Sequence, residues 1–235
     1  MPEPPTLTVA ELGLVDYSRA LELQNALVAA RLADQIGDAL LLLEHQHVFT
    51  LGRGADQRFI RDSAAGIPAI RVSRGGQVTY HGPGQLVGYP ILKLEDGDRD
   101  VARYLRRLEQ AMIEALARCG VEASRRERLT GVWVGAEKIA SIGVGIRRWV
   151  TCHGFALNIS CDLRFFDSIV PCGIEGCRMT SLKKLGCQVR LDEFSTFQAE
   201  AFATVFGYQR IQRVAPALLW QRVASAVSSA EAHLP

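Results

Sequence analysis

The stretch Gly131–Asn158, GVWVGAEKIASIGVGIRRWVTCHGFALN, decides the fold class. It contains three apolar runs rich in β-branched residues, and such runs are typical of strands. The predicted strands cover 131–134, 138–146 and 151–159. The turns between them, at Gly135-Ala136 and Arg147-Arg148, are short, so consecutive strands should pair antiparallel. The stretch therefore predicts a β-meander.

Outward from this meander, the chain alternates between apolar runs and amphipathic segments. Upstream, strands are predicted over 7–14, 39–44, 67–72, 77–80 and 86–94, with helices over 17–36 and 100–119 that Asp16 and Asp100 cap. The run 39–44 is continuously apolar and should be buried on both faces, whereas Pro90 predicts a position near an edge or a bulge. Residues 51–66 are predicted to be a long loop. Downstream, helices are predicted over 163–168, 192–206 and 217–232.

This order of elements predicts an α+β fold, a mixed and largely antiparallel sheet covered by helices. At 235 residues the chain fits one domain spanning 1–235. The net charge of +2 is too small to indicate nucleic acid or a membrane surface as a partner. No run approaches the roughly 18 apolar residues of a spanning helix. The first residues lack a signal-peptide pattern, so we expect a cytoplasmic protein whose six cysteines stay reduced.

Cys172 is the strongest candidate for chemistry. It lies in Ser168–Ile174, SIVPCGI, where Pro171 and Gly173 favour a tight turn. The amide groups of residues 172 and 173 could then face a developing oxyanion. A free cysteine is more often a small buried hydrophobe, but only Cys172 has this frame. No zinc-type spacing is present, so no metal is expected.

Lys138 is the candidate activating group for that thiol. It lies in the segment EKIASIG, and strand alternation places it on one face with Ala140, Ile142 and Val144. Apolar neighbours indicate burial. An ammonium near a thiol favours the thiolate and lowers the pKa of the thiol. A buried lysine beside a thiol would titrate jointly with it.

The segment Arg74–Gln85, RGGQVTYHGPGQ, is rich in glycine but matches neither a P-loop nor a dinucleotide turn. It is interpreted either as a pair of tight turns or, more favourably, as bare backbone against which a ligand can lie. His81 and His153 each precede a glycine beside an extended run. Either could donate to an acyl oxygen or carry a proton, although a lone histidine at such a position is more often structural.

Four segments in order carry a resemblance to a known family. They are RGGQVTYHGPGQLVGYPI (74–91), GVWVGAEKIASIGVGI (131–146), TCHGFALN (151–158) and IVPCGI…MTSL (169–182). Together they resemble the octanoyl-acyl-carrier-protein–protein N-octanoyltransferase family, also called lipoate–protein ligase B. The resemblance runs from about residue 40 to residue 182 and implies a biotin/lipoate ligase-like fold.

The resemblance also implies an activity and a site. The donor would be octanoyl-acyl carrier protein, and the acceptors would be lipoyl domains of 2-oxoacid dehydrogenase E2 subunits and the glycine-cleavage H protein. Cys172 would carry the acyl thioester and Lys138 would lower its pKa, with no cofactor. The substrate pocket would be lined by Arg74, Gly75, Gly76, Gln77, Val78, Thr79, Tyr80, His81, Ser141, Ile142, Gly143, His153, Gly154, Phe155 and Ala156.

Two alternatives remain at this point. An ATP-dependent lipoate or octanoate ligase would need a nucleotide site and would not need Cys172. A non-catalytic module that binds lipoyl domains would use Cys172 as core and the glycine-rich segment for its partner. Arg147 and Arg148 are further candidates for contact with an acidic carrier protein, against the simpler interpretation as a solvated turn.

Overall fold

The computed structural model describes residues 4–61, 66–174 and 176–221. In this part of the chain the main element is an eight-stranded mixed sheet with the strand order β11-β1-β2-β6-β10-β9-β8-β7. Its strands are β1 (Thr6–Val15), β2 (Ala39–His45), β6 (Gln85–Ile91), β7 (Ser124–Arg126), β8 (Leu129–Val134), β9 (Glu137–Arg147), β10 (Val150–Asn158) and β11 (Arg210–Arg213). β1 runs parallel to both its neighbours, and the other pairs are antiparallel.

A smaller sheet and three long helices accompany the large sheet in the described residues. The small sheet has the order β4-β3-β5 and consists of β3 (Val48–Leu51), β4 (Ala69–Arg71) and β5 (Val78–His81). The helices are α1 (Tyr17–Leu32), α2 (Val101–Ala117) and α3 (Leu191–Phe206). Short 3-10 helices occur at Gln57–Phe59, Asp96–Asp98, Leu163–Ser168 and Pro171–Gly173. None of the described helices has both the length and the apolar character needed to cross a membrane.

The large sheet is buried on both faces. Leu40 and Leu42 of β2 join the core beneath α2 and α3, whereas Leu41 and Leu43 join the core beneath α1. This explains the continuously apolar sequence of β2, because a strand covered on both sides has no face for polar residues. The predicted mixed sheet covered by helices is therefore confirmed.

Both predicted helix caps are present. The Asp16 carboxylate accepts hydrogen bonds from the backbone N–H groups of Ser18 and Arg19, and Asp100 accepts one from the N–H of Arg103. These bonds satisfy donors that the first turn of a helix leaves unpaired. α1 ends at Leu32, one turn earlier than predicted, and Asp34 beyond it takes a positive φ of 56°.

Pro90 predicts a strand near an edge or with a bulge, and the prediction of an edge is wrong. β6 lies inside the sheet between β2 and β10, but its pairing with β10 covers only Gln85–Gly88. Pro90 lies beyond that pairing but close to β10, since a Cβ atom at Gly154 would lie 2.6 Å from its Cδ. Thr151 of β10 makes the hydrogen bonds between the two strands there. Its hydroxyl donates to the Pro90 carbonyl over 2.7 Å and accepts from the Leu92 N–H over 2.9 Å. No ladder donor is thus required of the proline.

Other differences concern short elements. Part of the predicted loop over 51–66 is occupied by the 3-10 helix at Gln57–Phe59, and the buried strand β3 precedes it. Neither β7 nor β11 is predicted, since each is short and mostly polar. Of the last predicted helix, residues 217–221 are helical, and the remainder lies outside the described residues.

Candidate active site

One cavity of about 470 Å³ opens between the loop before β5, the strands β9 and β10, and the N-terminal half of α2. Every predicted pocket residue except Tyr80 lines it. Its volume is within the range of small-molecule sites. The sheet register brings these residues together, because Ser141 pairs with Ala156 and Gly143 pairs with Gly154 on the adjacent strands β9 and β10.

The glycine-rich loop lies directly on β9. The Gly75 N–H donates to the Val144 carbonyl over 2.9 Å. A Cβ atom at Gly143 would lie 2.8 Å from Cδ of Arg74 and 3.1 Å from the carbonyl oxygen of Gly75. The first distance is shorter than real Cβ atoms show and the second is tighter than most of their contacts, so glycine at 143 lets the loop approach this closely.

Arg74 is buried in the cavity wall, with 7% of its surface exposed. One guanidinium nitrogen, Nη2, donates to both the carbonyl and the hydroxyl oxygen of Thr50 over 2.8 Å. The other, Nη1, donates to the Gly75 carbonyl over 3.0 Å. The guanidinium therefore links β3 to the glycine-rich loop and brings a fixed positive charge beside the cavity.

A chain of side-chain hydrogen bonds fixes His81. Asn158 donates from Nδ2 to the Thr180 carbonyl over 3.0 Å, and its Oδ1 accepts from Gln85 Nε2 over 2.9 Å. Gln85 Oε1 must then accept from Nδ1 of His81, 2.8 Å away. Burial lowers the pKa of His81 well below its usual value, and repulsion between the His81 and His45 rings when both are protonated adds to the effect. His81 is thus neutral with its proton on Nδ1.

A second buried group of rings closes the same end of the cavity. The His45 ring lies between the backbone carbonyl of Val15, 2.9 Å from Nδ1, and the Tyr89 hydroxyl, 2.6 Å from Nε2. Burial lowers the pKa of His45 to about 4 and raises the pKa of Tyr17 to about 12. Tyr17 and Tyr89 line the cavity. The rings at this end are therefore polar but uncharged near neutral pH, and the guanidinium of Arg74 supplies the positive charge there.

His153 lines the cavity in an unusual backbone conformation, with a φ of 55° in the left-handed region. Its Nε2 lies 3.1 Å from the Ser73 hydroxyl, and its Nδ1 has no hydrogen-bond partner among the described residues. Burial and, to a smaller extent, the charge of Arg74 lower the pKa of His153 to about 4. It is neutral at physiological pH.

Lys138 is almost fully buried, with 1% of its surface exposed, and it lines the cavity. The burial predicted from strand alternation is confirmed. Its Nζ donates to the Thr130 carbonyl over 3.0 Å and lies 5.4 Å from the centre of the Trp133 ring. A carbonyl and an aromatic face both stabilise an ammonium that has left water.

The backbone of Lys138 is bonded to the chain that follows the Cys172 turn. Its N–H donates to the Arg178 carbonyl over 2.8 Å, and its carbonyl accepts from the Thr180 N–H over 2.9 Å. Cys172 lies in the 3-10 helix Pro171–Gly173. The residue that follows this helix, Ile174, lines the cavity. The side chain of Cys172 lies outside the described part of the structure.

Gly173 lies against the glycine-rich loop. It has a φ of 70°, and a Cβ atom there would lie 2.9 Å from Cγ of Gln77, which lines the cavity. The tight turn predicted from Pro171 and Gly173 is thus confirmed. Its backbone lies against the glycine-rich loop, next to the cavity-lining residue Ile174.

Tyr80 is a correction to the predicted pocket. Alternation along β5 turns Thr79 and His81 toward the cavity and Tyr80 away from it. The Tyr80 ring stacks on Phe165 at 5.0 Å between ring centres, and its hydroxyl lies 2.8 Å from Nδ1 of His47. It belongs to the small core under β3 and β5 and does not line the cavity.

Sequence reasoning missed several residues of the cavity wall, namely Tyr17, Arg53, Tyr89, Val101, Leu105, Arg128, Leu129, Thr130, Val144 and Ile174. Leu105 and Leu129 are apolar side chains on α2 and β8. A signal for Leu105 exists in the apolar face of α2, but a pattern of periodicity does not distinguish a core face from a cavity wall.

Comparisons with known proteins identify the family. The model of the lipoyl protein ligase A/B catalytic domain matches residues 16–203. The octanoyltransferase of Solibacter usitatus is 51% identical over 206 residues, which cover 86% of this chain and 93% of the relative.

Two solved structures show the same fold at low sequence identity. The first is a bi-partite lipoate protein ligase from Thermoplasma acidophilum, at a TM-score of 0.69 and 17% identity, with 96% of this chain and 91% of the other covered. The second is the biotin protein ligase of Aquifex aeolicus, at a TM-score of 0.51 and 11% identity, with 86% and 69% covered. The predicted biotin/lipoate ligase-like fold is confirmed.

These likenesses confirm the activity predicted from the sequence. The chain is an acyltransferase that transfers octanoyl groups in lipoate biosynthesis. The cavity, with an apolar side formed by α2, β8 and β9, is consistent with a medium-length acyl chain. The chain belongs to the lipoyl protein ligase A/B catalytic domain family.

Proposed function

We propose that the octanoyl group passes through a thioester on Cys172, from octanoyl-acyl carrier protein to one lysine of a lipoyl domain. The observation that carries this proposal is a buried lysine, Lys138, on the wall of an acyl-sized cavity and hydrogen-bonded through its backbone to the segment after the Cys172 turn. Burial of an ammonium is costly. A charged partner such as a thiolate offsets that cost.

The reaction has two steps. The Cys172 thiolate attacks the carbonyl carbon of the donor thioester, the bond to the carrier's sulfur breaks, and the carrier's thiol leaves with a proton. The acceptor amine then attacks the Cys172 thioester, an amide forms, and the Cys172 thiolate is released. Because a thioester replaces a thioester in the first step, no ATP is needed. Lys138 stabilises the Cys172 thiolate as an ammonium and gives its proton to the leaving thiol of the carrier in the first step. As a neutral amine it then takes the proton of the incoming amine in the second step, which restores the ammonium beside the released thiolate.

The predicted pocket residues would hold the acyl chain. Ile142, Phe155 and Ala156, together with Leu105 and Leu129, supply apolar surface on the cavity wall. At about 0.8 kcal/mol per buried methylene, an octanoyl tail would contribute several kcal/mol of binding. The amide groups of residues 172 and 173, at the turn, are the candidates for stabilising the oxyanion.

The relatives support part of the proposed set of partners. The similar ligase of Thermoplasma acidophilum is described together with its E2 lipoyl domain, which supports lipoyl-domain proteins as acceptors. We extend this to E2 subunits of 2-oxoacid dehydrogenases and to the glycine-cleavage H protein. The charged residues among those lining the cavity are all basic (Arg53, Arg74, Arg128 and Lys138), which suits an anionic donor. We further propose a cytoplasmic location, where the Cys172 thiol would stay reduced.

The test is mass spectrometry of the protein after mixing with octanoyl-acyl carrier protein. We expect an adduct of about 126 Da, an octanoyl group in place of hydrogen, on Cys172. Cys172→Ala should abolish the adduct, and the matched control Cys177→Ala should keep it. An adduct that survives Cys172→Ala would contradict the proposed nucleophile. Transfer that survives Cys172→Ala only with octanoate and ATP would instead support a ligase, and binding without any adduct a non-catalytic module.

A further inference from the structure

A buried carboxylate lies behind the cavity wall. Glu109 of α2 has 0% of its surface exposed, and it follows Leu105, which lines the cavity, by four residues. Its Oε2 accepts from Nη1 of Arg106 over 2.6 Å and from Nε of Arg125 over 3.1 Å. Its other oxygen, Oε1, accepts from the backbone N–H of Gly131 over 3.0 Å. Each oxygen of the carboxylate is thus hydrogen-bonded.

The Gly131 N–H belongs to the Thr130–Gly131 peptide group, which is also hydrogen-bonded to the Lys138 ammonium. The carbonyl of that same peptide belongs to Thr130, and it accepts from Nζ of Lys138 over 3.0 Å. A single peptide plane therefore stands between the Glu109 carboxylate and the Lys138 ammonium. The N–H points at the negative group and the C=O points at the positive group, so both hydrogen bonds are charge-assisted.

Gly131 makes this arrangement sterically possible. Its φ is +126°, a conformation that favours glycine. A Cβ atom at residue 131 would lie 2.6 Å from Cε of Lys138 and 2.6 Å from the carbonyl oxygen of Ala140. The peptide can therefore lie directly over the lysine stem. Its orientation is set from one side by the lysine and from the other by Glu109.

We propose that Glu109 is a positioning residue for Lys138, and that it acts through the Thr130–Gly131 peptide. The inference rests on the proposed role of Lys138 in activating Cys172. By holding the N–H, Glu109 prevents the peptide from rotating its carbonyl away from Nζ. By polarising the peptide, it strengthens the bond from the carbonyl to the ammonium. Arg106 and Arg125 balance the charge of Glu109.

The alternative is that Glu109 only neutralises two arginines and holds α2 against β7. The two interpretations differ in whether the effect of replacing Glu109 depends on Lys138. If the role is structural, replacing Glu109 lowers the free energy of unfolding whatever residue occupies position 138. If Glu109 positions Lys138, replacing it changes the reactivity of Cys172 only while Lys138 is present.

The experiment is a double-mutant cycle read by the alkylation rate of Cys172 against pH. Four proteins are compared: wild type, Glu109→Gln, Lys138→Ala and the double variant. Iodoacetamide labelling is resolved to Cys172 by peptide fragmentation. In the wild-type background, Glu109→Gln should raise the apparent pKa of the Cys172 thiol by about one unit, a roughly tenfold slower reaction at pH 7 that recovers at high pH. In the Lys138→Ala background it should have no effect.

Two further variants keep the test decisive. Glu109→Asp retains a charge for the arginines but withdraws the carboxylate from the Gly131 N–H, so it should slow the reaction even if Glu109→Gln folds poorly. Glu114→Gln, which alters another acid of α2 that bonds to Gln110, should leave the pH profile unchanged. Equal effects of Glu109→Gln with and without Lys138 would overturn the positioning role alone. An unchanged profile in Lys138→Ala itself would overturn the proposed activation of Cys172.

Discussion

The two ends of the cavity hold polar groups in different ways. At the β5 end, His81 is locked by amide side chains into one neutral form, and His45 and His153 are neutral as well. At the β8–β9 end, Lys138 is buried against a carbonyl and an aromatic ring. The first end holds its histidines neutral beside the fixed charge of Arg74, and in the proposed mechanism Lys138 at the second end supplies the charge that activates Cys172.

The largest expected effect comes from removing that charge. Lys138→Ala should lower octanoyl transfer at neutral pH by about 10³-fold, the mid-range for loss of such a group. The deficit should shrink at high pH, where more Cys172 is ionised without help. Steady-state rates from pH 6 to pH 10 check this, with Lys183→Ala, an exposed lysine, as the control. A deficit that is constant across this range would contradict the activating role.

Disrupting the β5 end should cost stability rather than thiol reactivity. Gln85→Leu leaves the Nδ1–H of His81 without its partner and removes the stronger of the two donors to Oδ1 of Asn158, which keeps only the weak one from Cys161 Sγ. A buried unsatisfied group costs about 1–3 kcal/mol. We expect the free energy of unfolding to fall by about 3 kcal/mol in urea titrations. The pH profile of Cys172 alkylation should not move. A shift of that profile would mean that the two ends are not separate in function.

The neutral histidines also predict acid sensitivity. His45 binds its proton only near pH 4 when folded but near pH 6.5 when unfolded. Between these values the unfolded chain binds more protons, so the free energy of unfolding falls as the pH drops. From pH 7 to pH 5 we expect a loss of about 2 kcal/mol from His45. His45→Asn should flatten this dependence in urea titrations, whereas His47→Gln, at an exposed position, should not.

The smallest expected effect on activity comes from residues outside both ends of the cavity. Arg147 and Arg148 are exposed at the turn between β9 and β10, where we predict contact with the acidic donor. Replacing both with Glu should lower kcat/KM for the carrier-bound substrate about threefold at low salt, and the difference should vanish at high salt. Arg210→Glu, on the edge strand β11, is the control. Equal salt dependence in all three proteins would assign the arginines to a solvated turn.

The sequence predicts the frame better than the details. The meander, the buried strand β2 and both capped helices follow from local patterns and are present. Short polar strands such as β11 have no such pattern, because their position depends on a parallel partner that is distant in the chain. The interior position of Pro90 has no local signal for a similar reason, since it depends on a side chain of β10, Thr151, which bonds to the Pro90 carbonyl and the Leu92 N–H where the ladder is interrupted.

The same distinction holds for the site. Cys172 and Lys138 are chemically conspicuous in the sequence, and the glycines beside Arg74 indicate a close approach of backbone. Glu109 is not conspicuous, because acids are common on amphipathic helices and mostly face solvent. Its position four residues after Leu105, on the apolar side of α2, is the signal that sequence reasoning passed over. Tyr80 was misassigned because every second residue of a strand faces the opposite way.

The contact between Gly143 and the Arg74 loop joins parts of the chain that are far apart in sequence. A wall made in this way cannot exist in a partly folded chain, since neither segment forms the slot alone. Nascent protein should therefore be unable to take up a fatty acyl group until synthesis has passed both segments and they have docked. Acyl uptake would then report on completed folding as well as on catalysis.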